Sequence, residues 1–494
     1  MRVFLTTLFA ITLSACSTLG DRTSEALHAP GLEGTRWGLV VMTMDGRELI
    51  AIRPDERFTP ASNTKLFTAA AAFHRLGDLT MPDPSMGTSV RIVPRAEGPP
   101  DLVLVGGGDA MLIDAADCER DCLSSLADMV VANGVTRIND VIGDDRLYPE
   151  QPWAPGWSWE DLVTRSGAAT SALTVNSNEV ALVVKPGVAA GEPADVTWRA
   201  SDVLGGGYPY DLRNDVVTVA ADADDEDLFG VERLGTSSTV RAYGQVVIGS
   251  TPRTIPVAVT SPAGSAAWRM EYLLKERGVT IEGDAATAHR PVVLVDDPEL
   301  RKGAAPPSPH REGVEIARLL PPPLIEDVAL IMKQSQNLHA ELLLRRLGLI
   351  EGGGSIEDGV AIIEQMLGDV GADRAGWDFS DGSGMSIYNR VTPRTVARLL
   401  LWTSRQAWAE AFRATLPVGG VDGTLRRRFA GTSLEGRVFA KTGTLTAVNA
   451  LSGFMLTKSG QVLIFSAYAN DRPSQAGSAI AAMDAALVQI SETN

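Results

Sequence analysis

Ser62 and Lys65 are the first residues of this sequence whose types and spacing suit chemistry. The segment reads Ser62-Asn63-Thr64-Lys65, and the preceding Thr59-Pro60 favours the start of a helix. Side chains three residues apart share one face of a helix, so the amine can reach the hydroxyl. A serine with a base beside it is an activated nucleophile for acyl transfer. A surface pair is the alternative, but only this one of the seven lysines follows a serine by three residues.

Ser335-Gln336-Asn337 lies in the break between two helical patterns, residues 324–333 and 338–347. It is the only Ser-x-Asn in the sequence. A hydroxyl and an amide on a rigid loop between helices can relay a proton and orient a substrate amide. A simple turn or helix cap, which serine and asparagine favour, is the alternative interpretation.

Lys441-Thr442-Gly443, followed by Thr444, lies in a strand pattern that begins at Val438. An ammonium and a hydroxyl on a strand edge suit a substrate carboxylate. Glycine has no side chain, so an extended peptide can approach there and add as a strand. Lys458-Ser459-Gly460 has a similar form, but it falls between two strand patterns and is predicted to be a hairpin turn.

In this order the three motifs resemble Ser-x-x-Lys, Ser-Asp-Asn and Lys-Thr-Gly of class A β-lactamases and penicillin-binding proteins. Residues 66–334 separate the first two motifs, and a single-domain β-lactamase has no room for them. The spacing is similar to that of the low-molecular-mass class C penicillin-binding proteins, the D-Ala-D-Ala carboxypeptidase/endopeptidase family. That family carries two extra domains inserted between these motifs.

The resemblance covers nearly the whole mature chain. Blocks similar to those of the family's inserted and later parts are residues 106–109, 143–145, 155–157, 172–176, 381–386 and 421–425. Tyr468-Ala469-Asn470 mimics a Tyr-x-Asn element of related hydrolases, but it comes after Lys-Thr-Gly and inside a strand, so we assign it no role. Gln336 stands where the family frequently has Asp or Asn. That position is not one of the hydrogen-bonding pair, so we expect activity to be retained.

The resemblance implies an acyl-enzyme mechanism without a metal or cofactor. Ser62 would attack the carbonyl of the penultimate D-Ala while Lys65 takes its proton. The oxyanion would be held by the backbone N–H groups of Ser62 and Thr444, a preorganised hole of the usual kind.

The other motif residues would bind the substrate and protonate the leaving group. Ser335 would pass a proton to the leaving amine with help from Lys441. Asn337 would position the substrate amide, and Thr442 the terminal carboxylate, beside Gly443 on the same strand. Penicillins would mimic the substrate and stall the enzyme as the acyl-enzyme.

The predicted function is therefore a serine D-Ala-D-Ala carboxypeptidase and/or endopeptidase that cleaves peptidoglycan stem peptides or cross-links. We expect peptides ending in D-Ala-D-Ala as substrates and β-lactam antibiotics as covalent inhibitors. A serine β-lactamase is one alternative, because it differs only in deacylation. A catalytically silent, lipid-anchored peptidoglycan-binding protein is the other.

The elements that must position these motifs predict an α+β fold. A hairpin pattern at residues 36–58, a helix, further helices, three strands from 438 to 469 and a closing helix from about 474 to 490 indicate an antiparallel sheet covered by helices. By resemblance this is a penicillin-binding transpeptidase/β-lactamase-like domain, split by a large, mostly β insertion of two domains. The predicted limits are 36–84 and 321–494 for the peptidase domain, 85–180 and 251–320 for the inserted domain, and 181–250 for a second domain nested in it.

The N-terminus predicts export. Val3–Leu13 is apolar but too short to span a bilayer, and Leu13-Ser14-Ala15-Cys16 resembles a bacterial lipoprotein signal. We expect residues 1–15 to be removed, Cys16 to be lipidated, and residues 16–35 to act as a tether. Ser17 follows the cysteine, and in this resemblance a serine there indicates export to the outer membrane. We therefore expect the protein in the periplasm, anchored by its lipid to the outer membrane. An ordinary signal peptide with an incidental cysteine is the alternative.

Composition limits the partners and the role of the remaining cysteines. With 61 acidic and 44 basic residues, the net charge of −17 argues against a nucleic-acid partner. Cys118 and Cys122, four residues apart, are within disulfide reach on a helix or tight loop, and an exported compartment permits oxidation. A metal site would need two further ligands, and the five histidines form no such pattern. We predict a small structural disulfide and no metal.

Overall fold

The structure is a computed structural model that describes residues 23, 25–28, 30–115, 117–199, 210–221, 228–234 and 237–494. Cys16 and the predicted signal peptide, residues 1–15, lie outside the described residues. Across the described part of the chain, no helix combines the length and apolar character needed to cross a membrane.

Strands and helices alternate in blocks along the chain. In chain order the strands are β1 (Arg36–Thr43), β2 (Glu48–Ile52), β3 (Ser89–Val93), β4 (Asp101–Val105), β5 (Arg137–Ile138), β6 (Val141–Pro149), β7 (Glu179–Lys185), β8 (Asp195–Trp198), β9 (Asp211–Val219), β10 (Leu228–Glu232), β11 (Thr239–Val247), β12 (Arg253–Ala258), β13 (Thr280–Ile281), β14 (Ala285–Arg290), β15 (Val314–Arg318), β16 (Trp377–Asp378), β17 (Arg390–Val391), β18 (Val438–Leu445), β19 (Val448–Leu456) and β20 (Val462–Asn470). The α-helices are α1 (Lys65–Arg75), α2 (Leu123–Ala132), α3 (Pro262–Glu276), α4 (Leu324–Lys333), α5 (Asn337–Gly348), α6 (Ile356–Val370), α7 (Pro393–Thr403), α8 (Ala409–Thr415) and α9 (Ala479–Thr493).

The third motif, Lys441-Thr442-Gly443, lies on a five-stranded antiparallel sheet with the order β18-β19-β20-β1-β2. The first two strands of the chain therefore lie in the same sheet as its last three strands. Strands β3 to β17 belong to other sheets. The predicted hairpins β1–β2 and β19–β20 are confirmed, and Lys458-Ser459-Gly460 lies in the turn of the second. Strand β18 lies at the edge of the sheet.

Helices cover both faces of this sheet. Val40 and Met42 point into a core formed with α1 and α4 to α8. Leu39 and Val41 point into a second core on the opposite face, against α9. Alternate residues of one strand thus serve different cores, which explains why β1 is apolar at consecutive positions.

The helix behind Ser62 begins later than the sequence indicates. Thr59-Pro60 predicts a helix from residue 60, but a 3₁₀ turn occupies Ala61–Thr64 and α1 begins at Lys65. Ala61 has a left-handed backbone with φ of 48°, which a continuing right-handed helix cannot contain. Leu66 and Phe73 of α1 are buried in the core that also contains Val40.

The insertion contains three larger sheets. The first is five-stranded and mixed, with the order β14-β6-β4-β3-β15, and α2 and α3 share a core with one of its faces. Two three-stranded sheets, β12-β7-β8 and β10-β11-β9, share a separate core that includes Leu182 and Val240. This arrangement nests strands β7 to β12 within the first inserted unit, and the domain limits given above stay predictions.

Candidate active site

Ser62 lies on the 3₁₀ turn that precedes α1, where the turn contacts strand β18. The side chain of the neighbouring Asn63 is buried, and its Nδ2 donates to the carbonyl oxygen of Lys441 at 2.9 Å. This hydrogen bond ties the first motif to the third. The sequence offered no reason to select Asn63, which occupies a variable position of the Ser-x-x-Lys pattern.

Lys65 is the centre of the hydrogen-bond network. Its Nζ lies 3.0 Å from Ser62 Oγ, 2.6 Å from Asn337 Oδ1 and 2.6 Å from the carbonyl oxygen of Ser383. The side chain is completely buried. Burial lowers the pKa of Lys65 to about 7, although the negative charges of Asp381 and Glu341 act in the opposite direction. Near neutral pH a large fraction of Lys65 is therefore uncharged.

The partners of Lys65 orient its lone pair. An uncharged amine has two N–H groups and one lone pair. Asn337 Oδ1 and the Ser383 carbonyl oxygen can only accept hydrogen bonds, so they take the two N–H groups. The lone pair is left facing the Ser62 hydroxyl. This geometry suits removal of the serine proton by Lys65.

The second and third motifs meet through a second buried lysine. Lys441 Nζ lies 2.9 Å from Ser335 Oγ and 3.0 Å from the carbonyl oxygen of Thr442. Burial, and then the nearby charge of Lys65, lower the pKa of Lys441 well below its usual value. In the free enzyme, burial thus disfavours the ammonium form that the sequence analysis assigned to this side chain. A bound carboxylate would favour the protonated form again.

Strand β18 presents Thr442, Gly443 and Thr444 at the edge of the sheet. Thr442 Oγ1 donates to Thr424 Oγ1 at 2.8 Å. A Cβ on Gly443 would lie 2.6 Å from the carbonyl oxygen of Pro60, so glycine is required for the strand to pack against the Ser62 turn. An edge strand leaves backbone groups available to an extended peptide.

Two buried acids, Glu341 and Asp381, hold the loop that contacts Lys65. Neither was selected as a site residue from the sequence. Glu341 Oε1 accepts from the backbone N–H groups of Gly382 and Ser383 at 3.1 and 2.8 Å. Asp381 accepts from the backbone N–H groups of Gly384 and Ser386 at 2.9 and 2.6 Å. Together they hold the loop whose Ser383 carbonyl faces Lys65.

A sequence signal for these acids existed. Glu341 follows Asn337 by four residues, so the two lie on the same face of α5. Burial raises the pKa of Glu341 to about 7. Asp381 begins one of the blocks that resemble the family, although no role was attached to it.

Cys118 and Cys122 are joined by a disulfide, with their Cα atoms 5.8 Å apart. The bond closes the loop that leads into α2 of the insertion. No residue of the three motifs contacts it among the hydrogen bonds of the described residues. The structure thus brings all eight predicted catalytic and substrate-binding residues into hydrogen-bonded contact or onto one strand, and leaves the two cysteines of the disulfide outside this site.

Comparison with known proteins decides the family. The model of the D-Ala-D-Ala carboxypeptidase 3 (S13) family matches residues 20–491. The chain belongs to this family. It is a serine-type D-Ala-D-Ala carboxypeptidase, as the motifs predicted.

Curated relatives of this carboxypeptidase span most of its length. The D-alanyl-D-alanine carboxypeptidase of Actinomadura sp. (strain R39) is 35% identical, and the match covers 94% of this chain and 83% of the relative. The D-alanyl-D-alanine carboxypeptidase DacB of Haemophilus influenzae is 24% identical, covering 89% and 86% of the two chains. Peptides that end in D-Ala-D-Ala belong to peptidoglycan, which lies outside the cytoplasm, and the enzyme acts there.

A solved structure confirms the predicted fold class. Penicillin binding protein 4 (dacB) from Haemophilus influenzae superposes with a TM-score of 0.77 at 22% identity, covering 95% of this chain and 98% of that one. The α+β penicillin-binding fold with additional sheet domains is therefore established for this carboxypeptidase. The same protein has also been solved in complex with a novel β-lactam.

Proposed function

We propose that Ser62 is the nucleophile of the carboxypeptidase reaction and that Lys65 is its general base. The observation that carries this proposal is the 3.0 Å contact between Lys65 Nζ and Ser62 Oγ. It is supported by the two carbonyl-type acceptors that direct the lone pair of Lys65 towards the hydroxyl. Loss of the serine proton to Lys65 and attack on the penultimate D-Ala carbonyl give a tetrahedral intermediate.

The oxyanion of that intermediate is held by the backbone N–H groups of Ser62 and Thr444. Each donor of such a hole is worth a few kcal/mol, roughly 2.7–4 where one has been removed. Collapse of the intermediate breaks the bond to the terminal D-Ala, whose nitrogen takes a proton from Ser335. The ammonium of Lys441, which forms when the substrate carboxylate binds and lies 2.9 Å from Ser335 Oγ, replaces that proton. Water then hydrolyses the acyl-enzyme. During this deacylation the Lys441 amine regains a proton from the attacking water, while Lys65 returns its own to Ser62.

The substrate binds along β18. Thr442 receives the terminal carboxylate, and the approach of this anion favours protonation of Lys441. Asn337 donates to the amide carbonyl of the substrate, and Gly443 leaves space for its backbone. β-Lactams acylate Ser62 in the same way as the substrate. The reaction then stops at the acyl-enzyme. Cleavage of cross-links, the endopeptidase reaction, uses the same atoms with a larger leaving amine.

Mass spectrometry after reaction with a penicillin tests the nucleophile. The wild type is expected to gain one penicilloyl group on the peptide that contains Ser62, and Ser62→Ala is expected to gain none. Rapid turnover of the penicillin without a stable adduct would favour the β-lactamase alternative. Failure of the folded wild type to react would favour a silent wall-binding protein.

We also propose that the enzyme is a periplasmic lipoprotein. The support is the short apolar stretch that ends in Leu13-Ser14-Ala15-Cys16. Removal of residues 1–15 and lipidation of Cys16 would anchor the enzyme to the membrane, and Ser17 favours the outer membrane. A tether of residues 16–35 would then connect the lipid to the peptidase domain.

A further inference from the structure

We propose that the inserted region is part of the catalytic apparatus: the backbone carbonyl of Ser166 selects the orientation of the Asn337 amide that Lys65 requires. This inference rests on the proposed role of Lys65 as base. It assigns positioning roles to Trp153, Thr164 and Gly167, which belong to the insertion and not to the three motifs.

The amide of Asn337 is held at both ends. Its Nδ2 donates to the Ser166 carbonyl oxygen at 2.9 Å, and its Oδ1 accepts from Lys65 Nζ at 2.6 Å. The side chain is buried, with 7% of its surface exposed. Solvent therefore has little opportunity to satisfy a group that loses its partner.

The two partners of Asn337 permit only one orientation of the amide. A carbonyl oxygen accepts and never donates, so the amide NH₂ must face Ser166. If the amide were flipped, its oxygen would face the Ser166 oxygen, and its NH₂ would face Lys65. The lone pair of Lys65 would then accept a hydrogen bond from the amide NH₂. It would no longer face the Ser62 hydroxyl.

This arrangement also leaves a donor for the substrate. The amide NH₂ has two hydrogens, and the Ser166 carbonyl uses one of them. The second remains for a substrate amide carbonyl. The Ser166 carbonyl oxygen thus orients Asn337 both to accept a hydrogen bond from Lys65 and to donate one to the substrate.

The Ser166 carbonyl is positioned by a short turn that the insertion builds. Ser166 N donates to Thr164 Oγ1 at 3.2 Å, and Gly167 N donates to the Thr164 carbonyl oxygen at 3.0 Å. Thr164 in turn forms a β-bridge with Val257 of β12. Strand β12 of the insertion therefore supports the turn that reaches the amide of Asn337.

Two side-chain features make this turn testable. Trp153 Nε1 donates to the Gly167 carbonyl oxygen at 2.9 Å, and Trp153→Phe removes that donor while keeping an aromatic ring. A Cβ on Gly167 would lie 2.4 Å from the Asp161 carbonyl oxygen, so Gly167→Ala must displace the turn. Either change loosens the position of the Ser166 carbonyl without altering a residue of the three motifs.

The experiment measures the rate of acylation by a fluorescent penicillin against pH for full-length Trp153→Phe and Gly167→Ala. Trp159→Phe is the matched control for the first, because Trp159 is 62% exposed. Gly368→Ala is the control for the second, because nothing lies within 4 Å of its added Cβ. Thermal melting of each variant establishes that it is folded.

We expect the plateau rate of each turn variant to fall by about threefold to tenfold, the effect of a lost neutral hydrogen bond. We also expect the midpoint of the pH profile to move below that of the wild type. Lys65 would exchange an acceptor for a donor, which disfavours its charged form, while Asp381, Glu341 and Lys441 around it stay the same. The control variants should match the wild type in rate and midpoint.

The outcomes separate this inference from the proposed function. A wild type that forms no acyl-enzyme at Ser62 would overturn both. Normal acylation of the wild type, with unchanged rates and midpoints in folded Trp153→Phe and Gly167→Ala, would overturn the role of the insertion alone. A lower rate with an unmoved midpoint would also overturn it, since loss of folded protein explains that result. If Gly167→Ala does not fold, Trp153→Phe decides.

Discussion

Replacement of Lys441 by methionine is the most informative single change, because the chain contains a matched control. Lys441→Met keeps most of the volume of the side chain but removes the amine. Ser335 Oγ thereby loses its contact at 2.9 Å, and a substrate carboxylate loses its only buried cation on β18. Lys458 is in a motif of the same form but is exposed in the β19–β20 turn. Lys458→Met should therefore be close to silent.

The magnitude follows from the contacts that are lost. A hydrogen bond to a charged group contributes about 1.5–3 kcal/mol, and each 1.4 kcal/mol is about a factor of ten in rate. Lys441→Met should therefore slow acylation by about tenfold to more than a hundredfold. The variant should remain folded, with an equal or higher melting temperature, because a buried ionisable group is replaced by an apolar one.

The assay compares acylation rates of the two variants and the wild type with one labelled penicillin. Melting temperatures measured in parallel show whether each variant is folded. If Lys458 proves essential and Lys441 dispensable, the assignment of β18 as the substrate strand is wrong. The proposed oxyanion donor at Thr444 would then be wrong as well.

Acylation should become faster as pH rises through about 7, because Lys65 loses its proton there; a rate that is flat from pH 5 to 9 would exclude Lys65 as the base. Gly443→Ala should reduce acylation more than tenfold, since its Cβ would lie 2.6 Å from the Pro60 carbonyl oxygen, whereas equal rates would show that the strand can adjust. Cys118→Ser with Cys122→Ser should change the melting temperature little, because so short a loop constrains the unfolded chain weakly; labelling of free thiols in the denatured wild type would show that the bond is absent. Cys16→Ala should move the protein from the detergent phase to the aqueous phase, and aqueous partitioning of the wild type would contradict the lipid anchor.

The parts of the site that depend on residue type and local spacing were predictable. Ser62 and Lys65 are three residues apart, and a single turn brings their side chains together. The contact of Lys441 with Ser335 was predictable only through the resemblance of the three motifs, because no local pattern specifies a contact between a strand and a distant loop. The same resemblance implied the split fold.

The parts that depend on backbone atoms could not be predicted. The carbonyl groups of Ser383 and Ser166 act on Lys65 and Asn337, and any residue type supplies a carbonyl group. The helix start was also missed, because the left-handed backbone of Ala61 is set by tertiary packing and not by the Thr59-Pro60 signal. The lowered pKa of Lys441 could not be predicted either, because it results from burial, and the degree of burial is unknown until the fold is known.

Release of D-alanine from a peptide that ends in D-Ala-D-Ala tests the central claim most directly. The wild type and Lys458→Met should release D-alanine at similar rates. Ser62→Ala should release none above background, and Lys65→Met should be slowed by at least about a hundredfold, the range for loss of a general base. Release by folded Ser62→Ala at the rate of the wild type would contradict the account, because the acyl-enzyme would then form on another residue or not at all.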